Sequence, residues 1–255
     1  MSLVFKSDYE DAPATYIAAV ESADGQDLEE EVKSAYTEFI LGCISDGTWD
    51  AIKSSCILSG ARTLAGALVP LKGIAPTNNG PFVAADYNRK TGLVGNNSKY
   101  LNANRLGDAD PTNNEHQSVY VTTGTLGNGN HYIGSSDGTN FRSIAWTSGL
   151  GAYVYTNTTS VSGTSVGSPA SPTGLIGHSR NNASTFDFFV RNNLTKDINQ
   201  TSSAAPNTDT NIFALNGANF SSGRIAFYSI GEALDLSLLN IRISNFITTI
   251  DSLIL

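Results

Sequence analysis

The segment FSSGRIAFYSIGEALDLSLLNIRISNFITTI, from Phe220 to Ile250, has the clearest structural pattern in the chain. Side chains alternate in its first part as in a pleated strand, until Gly231 interrupts the run. From Asp235, a predicted N-cap, the apolar residues follow helical spacing on one stripe that must pack against another element. The stripe consists of Leu239, Ile243, Phe246, Ile247 and Ile250. The stretch predicts a mainly β body whose last strand leads through a Gly turn into a closing helix.

Length and composition limit the class of protein. With 255 residues and 40% hydrophobic content, the chain is large enough to bury a substantial core. It has no run of about 18 apolar residues, and acidic residues stand near the N-terminus where a signal peptide would need an apolar core. We therefore expect no membrane insertion and no secretion signal.

The two cysteines exclude a disulfide-rich scaffold. Cys43 and Cys56 both lie in apolar runs, where a free cysteine behaves as a small core residue. The sequence favours two buried free thiols, with a single disulfide as the alternative.

The formal charge of −8 is unevenly distributed. Residues 1–50 hold twelve acidic residues against two lysines, a net charge of −10, whereas the other 205 residues carry +2. No basic cluster is available to neutralise several phosphates, so nucleic-acid binding is disfavoured. The acidic N-terminal part is expected to meet solvent or a basic protein partner.

Helical patterns occupy the first part of the chain. A first helix is predicted over Pro13–Ala23, and a second opens at Asp27, with Glu30 completing a capping box. A third, short helix is predicted around Asp46–Ser55. We therefore divide the chain into a helical segment, residues 1–60, which serves as an anchor or docking region, and a sandwich with its closing helix, residues 61–255.

Short alternating runs separated by Gly, Asn, Ser and Thr begin near Phe82, a pattern typical of two packed sheets. Two long polar segments, NTTSVSGTSVGSPASPT (157–173) and TKDINQTSSAAPNTDT (195–210), are predicted to be loops. The strand predictions are FVAADY (82–87), SKYLNA (98–103), QSVYVTT (117–123), HYIGSS (131–136), RSIAWTS (142–148), AYVYT (152–156), GLIGHSR (174–180), TFDFFVRN (185–192), NIFALN (211–216) and GRIAFYSI (223–230).

Four segments follow one another in the order of a known family: YIAAVESADGQDLEEEV, DGTWDAIKSSCILSGARTLAGALVPL, FVAADYNRKTGLVGNNSKYLNANR and FSSGRIAFYSIGEALD. With them, the chain resembles phage and prophage virion proteins that carry a concanavalin A-like (laminin G-like) jelly roll. The resemblance implies a virion component of the tail or the capsid surface, made in the host bacterial cytoplasm. It also implies other virion proteins as partners and a homo-oligomer, commonly a trimer. Fold alone does not settle function.

Hydrolysis of glycans requires two carboxylates that face each other across a sugar. Beyond residue 38 the glutamates are Glu115 and Glu232, far apart in sequence, and Asp187 has no second acid within five residues. The histidines are scattered and no Gly-x-Ser-x-Gly motif occurs. The sequence therefore favours a protein that is not an enzyme. His131 and His178 are expected to form hydrogen bonds on a sheet surface.

One acidic loop offers oxygen ligands suited to calcium, although it lacks the spacing of an EF-hand. Its candidate ligands are Asp108, Asp110 and Asn113, with Glu115 nearby. The alternative is a turn in which these side chains bond their own backbone. No other cofactor is expected.

A glycan site without catalysis combines an aromatic ring that stacks on the sugar with polar groups that fix its hydroxyls. One strand–loop–strand region offers such a set, namely Trp146, Tyr153, Tyr155, Asp137, Asn140 and Asn157. Tyr153 and Tyr155 share one face of their strand. Either both are exposed together, or both belong to the core or to a contact between subunits.

The sequence as a whole predicts a non-enzymatic virion structural protein, a tail fibre or capsid decoration component, that displays a lectin-like jelly roll. The alternative is a carbohydrate-binding receptor protein at the tip of a tail fibre. A glycan hydrolase is the third hypothesis.

Overall fold

A computed structural model describes residues 9, 11–124, 130–147, 151–159, 164–166, 173–190 and 192–254. The helices are α1 (Ala12–Asp24), α2 (Glu30–Ser45), α3 (Leu64–Ala67) and α4 (Leu236–Leu253). The strands are β1 (Ile52–Ile57), β2 (Pro70–Lys72), β3 (Thr77–Asn79), β4 (Tyr87–Asn88), β5 (Gly92–Val94), β6 (Tyr100–Leu106), β7 (Glu115–Thr123), β8 (Asn130–Ser136), β9 (Asn140–Thr147), β10 (Gly151–Thr159), β11 (Thr164–Val166), β12 (Gly174–Arg180), β13 (Thr185–Val190), β14 (Asn193–Asn199), β15 (Asp209–Ile212) and β16 (Arg224–Gly231).

The strands form two antiparallel sheets. Sheet A has the order β14-β13-β12-β7-β16-β1-β2, with β5 paired to β16 and β4 paired to β5; sheet B has the order β11-β10-β9-β8-β15-β6-β3. The chain passes repeatedly from one sheet to the other, since β6 lies in sheet B, β7 in sheet A and β8 in sheet B again. The predicted fold class, a mainly β jelly-roll sandwich with N-terminal helices and a C-terminal helix, is confirmed.

The helices add a third layer on the outer side of sheet A. Between the sheets, Ile176 and Phe188 of sheet A pack with Ile144 of sheet B in one apolar core. On the other side of sheet A, Phe227 joins Phe39 of α2 and other helical residues in a second core. Sheet A is therefore buried on both faces, which accounts for its near-continuous apolar strands.

The closing strand and helix agree with the sequence prediction. Asp235 caps α4, because its Oδ1 accepts hydrogen bonds from the backbone N–H of Ser237 at 2.8 Å and of Leu238 at 3.3 Å. A Cβ at Gly231 would lie 2.0 Å from the backbone oxygen of Ala51, so this position requires glycine. The predicted stripe on α4 is buried against the second core, with Ile247 half-buried at its edge.

The N-terminal helices follow the prediction in part. The first helix is confirmed and ends at Gly25, whose φ of 67° suits a glycine C-cap. The predicted capping box of the second helix is wrong, since α2 begins at Glu30 after Glu29, which makes no side-chain cap. The carboxylate of Glu29 instead binds the guanidinium groups of Arg62 and Arg89. That ion-pair network fixes the start of α2.

The predicted third helix around Asp46–Ser55 is wrong. Ile52–Ile57 forms β1, which pairs with β16 and buries Ser55. The Ser55 hydroxyl donates a 2.7 Å hydrogen bond to the backbone oxygen of Tyr228, so pairing with a strand distant in sequence overrides the local helical pattern. The division of the chain at residue 60 and the anchoring role of its first part stay predictions.

Three further segments differ from the prediction. The segment FVAADY (82–87), predicted to be a strand, forms a 3₁₀ turn over Ala84–Asp86 that leads into β4. The turn is stabilised by a hydrogen bond that the backbone N–H of Val83 donates to Asp86 Oδ2. The predicted loop 195–210 begins inside β14. Of the other predicted loop, residues 160–163 and 167–172 lie outside the described part, and the rest includes the end of β10 and all of β11.

Both cysteines are free and buried, as predicted. Burial raises the pKa of each thiol to about 12, which makes both inert. Within the described residues, no helix is long and apolar enough to cross a bilayer.

Candidate functional site

Three aromatic side chains form a ladder on the outer face of sheet B. Strand alternation directs Val154 into the sandwich and leaves Tyr153 and Tyr155 on the opposite side, both half-buried. Their ring centroids are 5.2 Å apart, and the ring of Phe141 on β9 lies 5.3 Å from that of Tyr155. We call Phe141, Tyr155 and Tyr153 the aromatic ladder. It is a continuous apolar surface that water reaches.

Small residues flank the ladder on the neighbouring strands. Ser143 is directly opposite Tyr155, and Ala145 is opposite Tyr153; both are buried. On the other side, β11 places the exposed Ser165 opposite Tyr153. Burial and the neighbouring Tyr153 hydroxyl raise the pKa of Tyr155, so its hydroxyl is protonated and can donate and accept hydrogen bonds.

A polar turn adjoins one end of the ladder. Asp137 and Asn140 bound the turn between β8 and β9, directly before Phe141. One carboxylate oxygen of Asp137 accepts from the backbone N–H of Thr139 at 2.9 Å and of Asn140 at 2.7 Å, and these hydrogen bonds lower its pKa. Asn140 Oδ1 accepts from the Ser203 hydroxyl at 3.0 Å. Both side chains therefore build the turn, and Asp137 remains exposed.

Two residues predicted for the glycan site lie inside the sandwich, which corrects that prediction. Trp146 is fully buried in the core between the sheets. Asn157 is also fully buried, at a bulge with φ of 52°, where it accepts from Arg142 Nε at 2.8 Å and donates to the backbone oxygen of Thr112 at 2.7 Å. Neither side chain can meet a ligand on the outer face.

The predicted calcium ligands do not converge on a cation. The carboxylate of Asp110 is buried and paired with the Arg105 guanidinium, so its charge is already neutralised. Asn113 Oδ1 accepts from the Ser202 hydroxyl at 2.6 Å, whereas Asp108 is exposed. Over the described ranges, no group of three His, Cys, Asp or Glu side chains could hold a metal ion. The loop contains turns at 107–108 and 112–113, but Asp110 and Asn113 bond the side chains of Arg105 and Ser202 and not their own backbone, so the alternative is not confirmed in that form.

The two histidines expected on a sheet surface are buried, contrary to the prediction. His178 points between the sheets, on the same face of β12 as the core residue Ile176. His131 lies on β8, where burial lowers its pKa to about 4. The strands that cover these side chains are remote in sequence, so the local pattern did not reveal their burial.

A polar groove of about 440 Å³ opens near the start of α4, on the other side of the molecule. Asp187, Lys196 and Asp235 are among its lining residues. Asp187 Oδ1 accepts from the backbone N–H of Asp197 at 3.0 Å, and Asp235 caps α4. Each carboxylate in this groove therefore has a structural role.

The sequence reasoning missed Phe141. It lies one residue before the predicted strand RSIAWTS, in phase with Ser143 and Ala145 on the outer face. A strand prediction extended back to Asn140 would have placed this ring beside Tyr155.

No protein-family model and no curated protein matches the chain. The chain is similar to domain 4 of an extracellular arabinanase from Geobacillus stearothermophilus, solved in complex with arabinotriose, at 15% identity and a TM-score of 0.46, over 58% of this chain and 74% of that one. It is also similar to the binding domain of botulinum neurotoxin serotype D, at 13% identity and a TM-score of 0.44, over 77% of this chain and 51% of that one. A GH54 α-L-arabinofuranosidase matches at 10% identity and a TM-score of 0.33, over 62% of this chain and 40% of that one.

All three TM-scores are below 0.5, so no ligand and no activity transfers from these proteins to this chain. The fold class of the protein is established by its own strand order and layers. It is a jelly-roll β-sandwich with helices on one sheet and an aromatic ladder on the other.

Proposed function

We propose that the chain is a non-enzymatic, glycan-binding display module of a bacteriophage virion. The observation that carries the glycan part is the aromatic ladder of Phe141, Tyr155 and Tyr153, half-buried side by side on the outer face of sheet B. The virion part rests on the resemblance of the sequence segments quoted above. The two parts are independent, and each has its own test.

The ladder has the chemistry that sugars require. The apolar face of a pyranose or furanose ring stacks on an aromatic ring, and nearby hydroxyl and amide groups bind its hydroxyls. Three rings in contact can support more than one sugar residue of a chain. The hydroxyls of Tyr153 and Tyr155 lie on this face and can supply hydrogen bonds to a ligand. A carbohydrate polymer at the host surface is the ligand class that fits.

We propose no enzymatic activity because, within the described residues, no carboxylate pair flanks the ladder. Asp137 is the nearest of the predicted acids, and it is engaged in its turn. Glu115, the acid with the most enclosed surroundings, is fully buried between the sheets. A glycosidase needs two carboxyl groups across the scissile bond, and no such arrangement adjoins the ladder among the described residues.

In the virion, the helical side of sheet A would face the particle, and the ladder would face outward. The partners are other virion proteins and further copies of this chain, with a trimer implied by the resemblance alone. The exposed acidic side chains of the N-terminal helices, such as Glu31 and Glu38, would meet a basic surface.

The glycan proposal is tested with the full chain on an array of bacterial surface polysaccharides. Tyr155→Ala and Tyr153→Ala should each weaken binding at least about fivefold, as expected for a stacking ring. Tyr120→Ala is the matched control, since Tyr120 is a half-buried tyrosine on sheet A, and it should bind like the wild type. Equal binding by all three variants, or no bound glycan, would refute the glycan part.

The virion proposal is tested by electron microscopy of purified particles with an antibody to this chain. Gold label at the tail or on the capsid surface is the expected result. Particles that lack the chain, in a lysate that contains it, would contradict this part and leave the glycan result intact.

A further inference from the structure

The interior of the sandwich becomes polar at one end. On the inner face of sheet A, Arg180 is directly opposite Glu115, and His178 is directly opposite Gln117. Arg142 belongs to the facing inner surface of sheet B, between Ser135 on β8 and Thr156 on β10. All of these side chains are completely buried. We call Glu115, Gln117, Arg142, His178 and Arg180 the interior polar cluster.

Arg180 has partners for its terminal nitrogens. Its Nη2 donates to Thr156 Oγ1 at 2.6 Å and to the backbone oxygen of Gln200 at 2.9 Å, and its Nη1 donates to the backbone oxygens of Asn182 and Thr185 at 3.2 and 3.1 Å. This guanidinium is therefore a fixed, charged bridge from sheet A to sheet B.

Arg142 differs, since among the described residues only its Nε has a partner. That atom donates to Asn157 Oδ1 at 2.8 Å and lies 3.5 Å from Glu115 Oε2. Neither Nη1 nor Nη2 of Arg142 has a hydrogen-bond partner within the described residues, and the same holds for Gln117 Nε2 and both ring nitrogens of His178. Both carboxylate oxygens of Glu115 and Oε1 of Gln117 are likewise without a partner at hydrogen-bond distance in the described part of the chain. A buried donor without an acceptor is unfavourable, and more so when it is charged.

The charges of the cluster do not balance. Arg142 and Arg180 are cations, and in the described part of the chain Glu115 is the one carboxylate between them, 3.5 Å from His178 Nδ1. Burial acts to raise the pKa of Glu115, yet His178 and Arg142 lower it to about 2, so this group is already ionised. The nearby Asp110 is paired with Arg105 and contributes no net charge. The cluster thus has a formal charge of at least +1 in a region from which solvent is excluded.

An uncompensated buried charge is unfavourable unless a counter-charge accompanies it. We propose that the interior polar cluster binds a small monovalent inorganic anion of the chloride class, held by the terminal nitrogens of Arg142 and by neighbouring donors of Gln117 and His178. Such an anion accepts several hydrogen bonds at once and brings the formal charge of the cluster closer to zero. It would be a structural ligand that stabilises the fold, separate from the aromatic ladder.

The test measures the melting temperature of the full chain as chloride replaces gluconate at constant ionic strength. Gluconate is too large for an enclosed site. Above the dissociation constant, each tenfold rise in chloride should raise the melting temperature by roughly 3–5 °C. Arg142→Gln should lose this dependence. Arg224→Gln, which removes a half-buried arginine on β16 away from the cluster, should keep it.

A second measurement uses the wild-type chain alone, so it does not require any variant to fold. Crystals of the wild-type chain grown in bromide should show an anomalous peak within hydrogen-bond distance of Arg142 Nη1 or Nη2. The proposal requires both results. A chloride dependence that Arg142→Gln shares with the wild type overturns it, and so does a bromide crystal without a peak at Arg142, since water would then fill the cluster.

Discussion

The two sheets of the sandwich differ in what covers their outer faces. Sheet A carries α1, α2 and α4 on its outer side, so that a strand such as β16 is buried on both faces. The outer face of sheet B has no such helical layer in the described ranges, and β10 alternates there between buried and half-exposed residues. Sheet A is therefore the structural centre of the molecule, since it has apolar contacts on both faces. The half-exposed aromatic ladder lies on the outer face of sheet B.

A substitution in the helical layer should have the largest effect on the free energy of unfolding. Phe246 of α4 lies 5.0 Å from the ring of Tyr36 and 5.9 Å from that of Phe39, measured between centroids. Phe246→Ala should lower the free energy of unfolding by about 3–5 kcal/mol, because it opens a cavity in this core. Urea unfolding measures the change. Ile241→Ala, on the exposed side of α4, is the control and should cost at most about 0.5 kcal/mol.

Similar costs for the two variants would show that α4 does not stabilise sheet A, and the contrast between the sheets would then have no energetic basis.

Acid should destabilise the chain through one buried histidine on each sheet. Burial lowers the pKa of both His116 on β7 and His131 on β8 to about 4. An unfolded histidine has a pKa of about 6.5, so the unfolded chain binds more protons between these two values. The stabilising contribution is complete above about pH 6.5 and is lost as the pH falls toward 4. Urea unfolding across this range measures it.

Variants at the two histidines assign the pH dependence to each sheet. His131→Gln should flatten the part that comes from sheet B. His116→Gln should flatten the part from sheet A, but it also disturbs hydrogen bonds, since Nδ1 donates to the backbone oxygen of Glu232 and Nε2 contacts the Ser229 hydroxyl, both at 2.6 Å. A stability that is constant from pH 6.5 to 4 in the wild type would contradict the burial of both rings.

Local patterns were sufficient where the decisive contacts are close in sequence. The strand β16, the glycine at 231 and the Asp235 cap lie within one short segment. The local sequence of that segment predicts all three. The local pattern predicts a third helix where the structure has β1, because the partner of β1 is β16, which lies far along the chain. Pairing with a distant strand is not visible in a local window.

Trp146 shows why the glycan site could be predicted only in part. It shares its strand face with Arg142, and a charged residue on a face usually indicates solvent. That face of β9 instead points into the sandwich. The Arg142 guanidinium on it contacts Glu115 and Asn157, which belong to other strands. Tyr153 and Tyr155 were correctly paired on one face, since they are two residues apart on one strand. Their exposure followed only from the assembled sheets.

The smallest expected effect on stability concerns the aromatic ladder. Tyr155→Ala should lower the free energy of unfolding by about 1 kcal/mol, since it removes two aromatic contacts at a half-exposed site. Trp146→Ala, on the inner face of the same hairpin, is the reference and should cost about 3–5 kcal/mol. If Tyr155→Ala costs as much as Trp146→Ala, the ladder is a covered surface. Unfolding that then depends on protein concentration would identify the cover as a second copy of the chain. A small cost together with lost glycan binding is the result that leaves sheet B as the binding face.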